Sequence, residues 1–190
     1  QVNEMLYNTP DFAQWSLEAI REEDGALSWL EEQRFNWSIT SSATIADILE
    51  GKTIILITDR KRKWLERYIL SSINSDKMDR PILPIVSIDS IYKHYNNING
   101  GAMIDILDDM LSLSYKDNYI FWYIGSGDDR RSDIAKRRDS SYFWIFDEEF
   151  HNAFTMKSYD SHLDIKLLQL YRLFNASLNA AMFGEVDVTS

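Results

Sequence analysis

Thr53-Ile54-Ile55-Leu56-Ile57-Thr58 is an unbroken run dominated by β-branched residues. A run without polar alternation marks a strand covered on both faces, as in a parallel sheet between helical layers. On its N-terminal side, apolar residues from Asp11 to Glu50 recur at helical spacing: Phe12, Trp15, Ala19 and Ile20, then Leu27 and Leu30, then Ile45, Ile48 and Leu49. Pro10 precedes the first turn, Gly25 is placed to bend or divide the segment, and Gly51 to close it. On the other side, Trp64, Leu65, Tyr68, Ile69 and Ile73 mark the apolar face of a helix that Asp59 is placed to cap.

The alternation continues along the chain. Ile82–Ile88 reads as strand, Met103–Leu113 as helix, Tyr119–Ile124 as strand and Asp128–Arg138 as a short charged helix. Tyr142–Phe146 reads as strand, Phe154–Met156 as a weak last strand, and Leu163, Leu167, Leu170, Tyr171, Phe174 and Leu178 as one stripe of a final helix capped by Asp160 or Ser161. This βα series predicts an α/β fold in three layers, doubly wound about a parallel sheet of four or five strands and preceded by a long N-terminal helical segment. A straight helix of about forty residues would reach about 60 Å. It is therefore expected to bend near Gly25 or to pack against a second subunit. Residues 1–190 are expected to form one domain. The first ten, which open on Gln1-Val2-Asn3 without an initiator methionine, are expected to be flexible or in part a cloning remnant.

Composition narrows the function. Thirty acidic residues against twenty basic ones give a net charge of −10, which repels duplex nucleic acid and anionic membranes. The absence of cysteine excludes a disulfide framework, a thiolate nucleophile and a cysteine-held metal. No stretch approaches the roughly 18 apolar residues of a membrane span, and the first twenty residues do not read as a signal peptide, so a cytoplasmic protein is expected. Nine Phe and six Trp suffice for a core and leave some for an interface.

In doubly wound folds ligands bind outside the carboxyl ends of the strands. The first strand runs into Asp59-Arg60-Lys61-Arg62-Lys63, which has no glycine to admit a phosphate and sets cations against the helix dipole. Gly125-Ser126-Gly127-Asp128-Asp129 looks like a phosphate loop, but its aspartates stand where an anion needs bare amides, so it reads as a capped turn. Asp89 and Asp147-Glu148-Glu149 gather carboxylates near the same edge without a spacing that singles out an acid–base pair or a magnesium site. His94, His151 and His162 are too scattered for a metal motif. No catalytic residue, cofactor or metal is expected, and the chain reads as one that works by binding another protein. The alternative is an enzyme that binds or isomerises a sugar phosphate.

Several segments carry a more specific signal: Trp64 with Tyr68-Ile69-Leu70-Ser71 and Asn74; Arg80-Pro81; Phe121-Trp122 leading to Gly125; Phe143-Trp144 with Phe146 and Glu148-Glu149. Asp160-Ser161 with Leu163-Asp164, Lys166-Leu167-Leu168-Gln169-Leu170 and Leu173-Phe174 is the strongest, because packing demands apolar spacing but not particular polar residues between. From about Asp11 to Phe183 the sequence resembles the HobA family, small proteins of epsilon-proteobacteria that bind the replication initiator DnaA. The resemblance implies a sugar isomerase-like fold, a homotetramer and relatedness to DiaA. It further implies a non-catalytic adaptor that binds the N-terminal domain of DnaA and promotes its assembly at the chromosomal origin without itself touching DNA. Sugar isomerase domains hold the sugar phosphate in a Gly- and Ser-rich loop after the first strand, where this chain has Asp59-Arg60-Lys61-Arg62. Two groups are expected to meet the partner: Asp59, Arg60, Lys61 and Lys63 at the charged helix start, and Met182 and Phe183 at the end of the last helix, as in DiaA-type members.

Overall fold

The aliphatic run at Thr53–Thr58 forms β1, an interior strand of the sheet, in a computed structural model that describes residues 9–23, 25–98 and 100–188. β2 (Ile85–Ser87) pairs with it on one side and β3 (Tyr119–Ser126) on the other, followed outward by β4 (Tyr142–Phe146) and β5 (Ala153–Met156). All pairings are parallel, in the order β2-β1-β3-β4-β5. The chain leaves β1 toward one edge and returns beyond it to β3, so the topological switch lies between these two strands.

Strand residues alternate between two apolar layers. Ile54, Leu56, Ile120, Trp122, Trp144 and Phe154 face a layer built from α1 (Phe12–Glu22), α2 (Arg34–Leu49), α3 (Lys63–Ser72) and α7 (Leu163–Met182). Ile55, Ile57, Phe121, Tyr123, Phe143 and Ile145 face α4 (Ile88–Ile91), α5 (Gly101–Tyr115) and α6 (Arg130–Ala135). The first layer is centred on aromatic rings. Trp37 meets Phe154 edge-on at 5.8 Å and Trp122 meets Trp144 at 5.0 Å, geometries worth about 0.5–1.5 kcal/mol per pair beyond burial.

The N-terminal helical segment is divided. α1 ends at Glu22, Gly25 takes a left-handed φ of 79°, and a 3-10 turn over Ser28–Gln33 leads into α2. Gln169 of α7 holds this corner from both sides, accepting from Trp29 Nε1 at 2.9 Å and donating to the Ala26 carbonyl at 3.0 Å. Residues 1–8 lie outside the described residues, but Pro10 belongs to the fold: its carbonyl accepts from Asp187 N, and Asp11 bridges Asp187.

Three other expectations need correction. The second strand is confined to Ile85–Ser87; Ile82 is 83% exposed, and Ile88 begins α4. Pro84 has no N–H to offer a ladder, and Leu83 is instead paired in both directions by the side-chain amide of Asn74. The charged helix spans only Arg130–Ala135, capped by Asp129, whose side chain accepts from Arg131 N. At the start of α7 the N-cap position is His162, without a side-chain cap bond, while Asp160 accepts from the His162 amide and from Lys166 Nζ. β4 and β5 are joined by only six residues, fewer than the dozen or so that parallel strands usually require. Left-handed φ values at Asp147 (60°) and Asn152 (55°) bracket this return, and Phe150 within it packs on Phe143.

Candidate functional site

The strand ends around the switch point would hold a ligand in a doubly wound protein, and here carboxylates of the same chain occupy the glycine turn that would receive it. Asp59, directly after β1, is buried and accepts from Arg62 N and Arg62 Nη1. It also reaches across to β3 and accepts from Ser126 N at 3.0 Å. A Cβ on Gly125 would stand 2.8 Å from Asp59 Cβ and 2.8 Å from Tyr123 Oη, so glycine is required there to admit the aspartate. Glu148 occupies the corresponding space over Gly127 and pairs with Lys136 Nζ at 2.9 Å. Lys136 and Ser132 Oγ both donate to the Gly127 carbonyl, and Asp128 accepts from Ser126 Oγ. The glycines that give this turn the look of a phosphate loop thus accommodate carboxylates of the same chain.

A second internal cluster adjoins it. Glu66 of α3 is buried and accepts from Thr58 Oγ1, Ser87 Oγ and Lys63 Nζ, which ties β1, β2 and α3 together. Lys63 Nζ also donates to Asp89 at 2.6 Å and lies 5.1 Å from the centre of the Tyr95 ring. Burial pushes the Lys63 ammonium down, but the hydrogen bonds it donates to Asp89 and Glu66 outweigh this and hold the group above the ordinary lysine range. Burial likewise raises the Tyr123 phenol, helped by the charges of Asp129 and Asp59. Its hydroxyl donates to the Ser126 carbonyl.

The expected first contact group therefore separates. Asp59 and Lys63 are internal clamps, whereas Arg60 and Lys61 are exposed and diverge. Arg60 lines a cavity of about 360 Å³ with Tyr95, Asp129 and Arg131, while Lys61 lies beside Ser158, Asp160 and Asp164 at the entry to α7. In the second group, Met182 is half-buried against the core and Phe183 is 60% exposed. Lys61 and Phe183 lie at opposite ends of α7, whose twenty residues span about 30 Å. Sequence reasoning also placed Trp64 and Tyr68 on the buried face of α3, but they are 38% and 39% exposed; Leu65, Glu66 and Ile69 face inward. The signal that could have found them is their position one residue off the Leu65, Ile69, Ile73 stripe. Among the described residues no group of His, Asp or Glu is placed to hold a metal ion, and no helix is long and apolar enough to cross a membrane.

Sheet order and strand-end geometry define the class: a doubly wound α/β protein of order 2-1-3-4-5 whose glycine turn at the switch point is occupied by its own carboxylates. The chain belongs to the HobA family, since the model of that family, described as a DNA replication regulator, matches residues 9–188. The DNA replication regulator protein HobA of Helicobacter pylori is 28% identical over 184 residues, covering 94% of this chain and 99% of the relative. A crystal structure of a HobA–DnaA (domain I–II) complex from the same organism superposes with a TM-score of 0.74 at 27% identity, covering 93% of this chain and 98% of that one. A crystal structure of Helicobacter pylori HobA shares the fold, with a TM-score of 0.70 at 24% identity over 93% of this chain and 99% of the other.

Proposed function

We propose that this chain is a non-catalytic cytoplasmic adaptor that binds the N-terminal region of the replication initiator DnaA and promotes its assembly at the chromosomal origin. The likeness to a HobA chain crystallised with DnaA domains I–II, over nearly the full length of both, carries this reading. The occupied glycine turn supports it, because Asp59 and Glu148 stand where a sugar phosphate would need open amides. Of the expected contact residues, Arg60, Lys61 and Phe183 are exposed enough to meet a partner.

The adaptor acts as a homotetramer. Phe35 and Ile39 on α2, with Ile106 and Leu113 on α5, leave apolar surface exposed that self-association would cover. Repeated sites on one symmetric particle place captured initiators at raised effective concentration, which favours their assembly without any contact to DNA. Light scattering of the purified chain, alone and with the N-terminal domain of its own DnaA, tests both statements. A tetramer that gains mass on adding the domain is expected. No gain at tens of micromolar, an interaction weaker than about −6 kcal/mol, would remove the adaptor reading. In parallel, a sugar phosphate that raised the melting temperature in proportion to the logarithm of its concentration would restore the enzyme reading.

A further inference from the structure

Helix α3 needs only Leu65, Glu66 and Ile69 to bury it. Its outer face nevertheless carries Trp64, the one exposed tryptophan of the six, and Tyr68 one turn later. Arg67 lies between them on the same face, and Lys61 continues the stripe one turn earlier, while Arg60 turns away toward the cavity lined by Tyr95 and Arg131. The Tyr68 ring is fixed edge-on against Tyr171 at 5.7 Å, so little side-chain freedom remains to be lost when a partner covers it.

The charge on this face is one-sided. Five cations lie between Arg60 and Arg67 in a chain of net charge −10. Asp59 and Glu66, the carboxylates of the stretch, are buried and pair with Arg62 and Lys63. Among the described residues, Arg60, Lys61 and Arg67 take part in no ion pair with a carboxylate. Exposed aromatics beside an arginine are the residue types that dominate protein interfaces. From this we infer that the outer face of α3, with Trp64 as anchor, docks an acidic amphipathic segment of the protein partner. The inference rests on the adaptor reading and names the surface and the chemistry of what it binds. A second copy is a poor occupant, since a two-fold contact through this face would set its cations against themselves. Nucleic acid is disfavoured by the acidity of the rest of the chain.

The test titrates the full-length chain with the N-terminal domain of DnaA, comparing wild type with Trp64→Ser and Arg67→Glu. Both variants should weaken binding at least tenfold, with melting temperature and particle mass unchanged. Wild-type Trp64 fluorescence should lose its accessibility to acrylamide when the domain is added, a readout that does not depend on a variant folding. Wild type that binds while both variants match it within twofold, with Trp64 still quenched, removes this surface alone. A fall in particle mass in either variant assigns the face to self-association, and loss of single-stranded oligonucleotide retention with DnaA affinity intact assigns it to nucleic acid; both overturn the proposal. Wild type that fails to bind removes the adaptor reading and this surface with it.

Discussion

Gly125 has no side chain because Asp59 occupies that space, and neither neighbour can retreat easily. Asp59 is held by Arg62 and Ser126, and Tyr123 Oη is held by the Ser126 carbonyl. Gly125→Ala should therefore destabilise by about 1–3 kcal/mol, the usual consequence of overpacking. In a chain of this size that corresponds to a melting temperature lower by about 2–12 °C; a thermal melt within 1 °C of wild type would contradict the packing described. The neighbouring lysines separate in the same way. Lys63→Glu places a third carboxylate against Glu66 and Asp89 and should destabilise by about 3–5 kcal/mol, as breaking a buried pair does. Lys61→Glu, at an exposed position, should stay within about 0.5 kcal/mol. Urea unfolding of both variants measures the contrast, and similar midpoints would remove the distinction between clamp and surface residue. Sequence alone could not make that distinction. Four consecutive cations look alike until the 3-10 turn over Arg60–Arg62 decides which point inward, and the role of Asp59 depends on a glycine sixty-six positions later.

At the scale of elements, β1, β3 and β4 were legible because strands buried on both faces must be apolar without interruption. β2 was over-read for the same reason: Ile82 and Leu83 continue an apolar run, although Pro84 prevents them from joining the ladder and Asn74 supplies the pairing instead. The polar residues that make the family signature specific prove to have internal work. Arg80 donates to Asn175 and Asn179 of α7 and to the Ile73 carbonyl, and Gln169 holds the N-terminal corner. Asp160 orders the entry to α7, where the Lys166 ammonium, then the His162 amide, hold its carboxyl below the ordinary range. A lowered folded value means that Asp160 stabilises above about pH 4. That contribution is lost as pH falls through the lowered value. Asp160→Asn should accordingly melt below wild type at pH 7, and the gap should narrow as the pH is lowered past about 4. A gap that does not change on acidification would show that the charge of Asp160 is not involved.

Over the whole molecule, Lys61 and Phe183 are separated by the length of α7, too far to share one side-chain environment. If both meet the partner, the losses from Lys61→Glu and Phe183→Ala should add within about 0.5 kcal/mol in a double-mutant titration. A strongly non-additive result would mean that one of them acts through the oligomer. Ile106→Glu combined with Leu113→Glu should lower the particle mass in light scattering while leaving the melt of the subunit cooperative. An unchanged mass would exclude that stripe of α5 from the self-interface.

The bridge between Asp11 and Asp187, beside the Asp187–Pro10 hydrogen bond, joins segments near the two ends of the chain, and α1 shares its apolar layer with α7. On the ribosome these partners do not appear together. At roughly 5–20 residues per second, about 10–35 s pass between synthesis of the first and of the last. Throughout that interval Phe12 and Ile20 have no α7 to cover them, so the first helix can close its apolar face only against α2 until the final helix emerges.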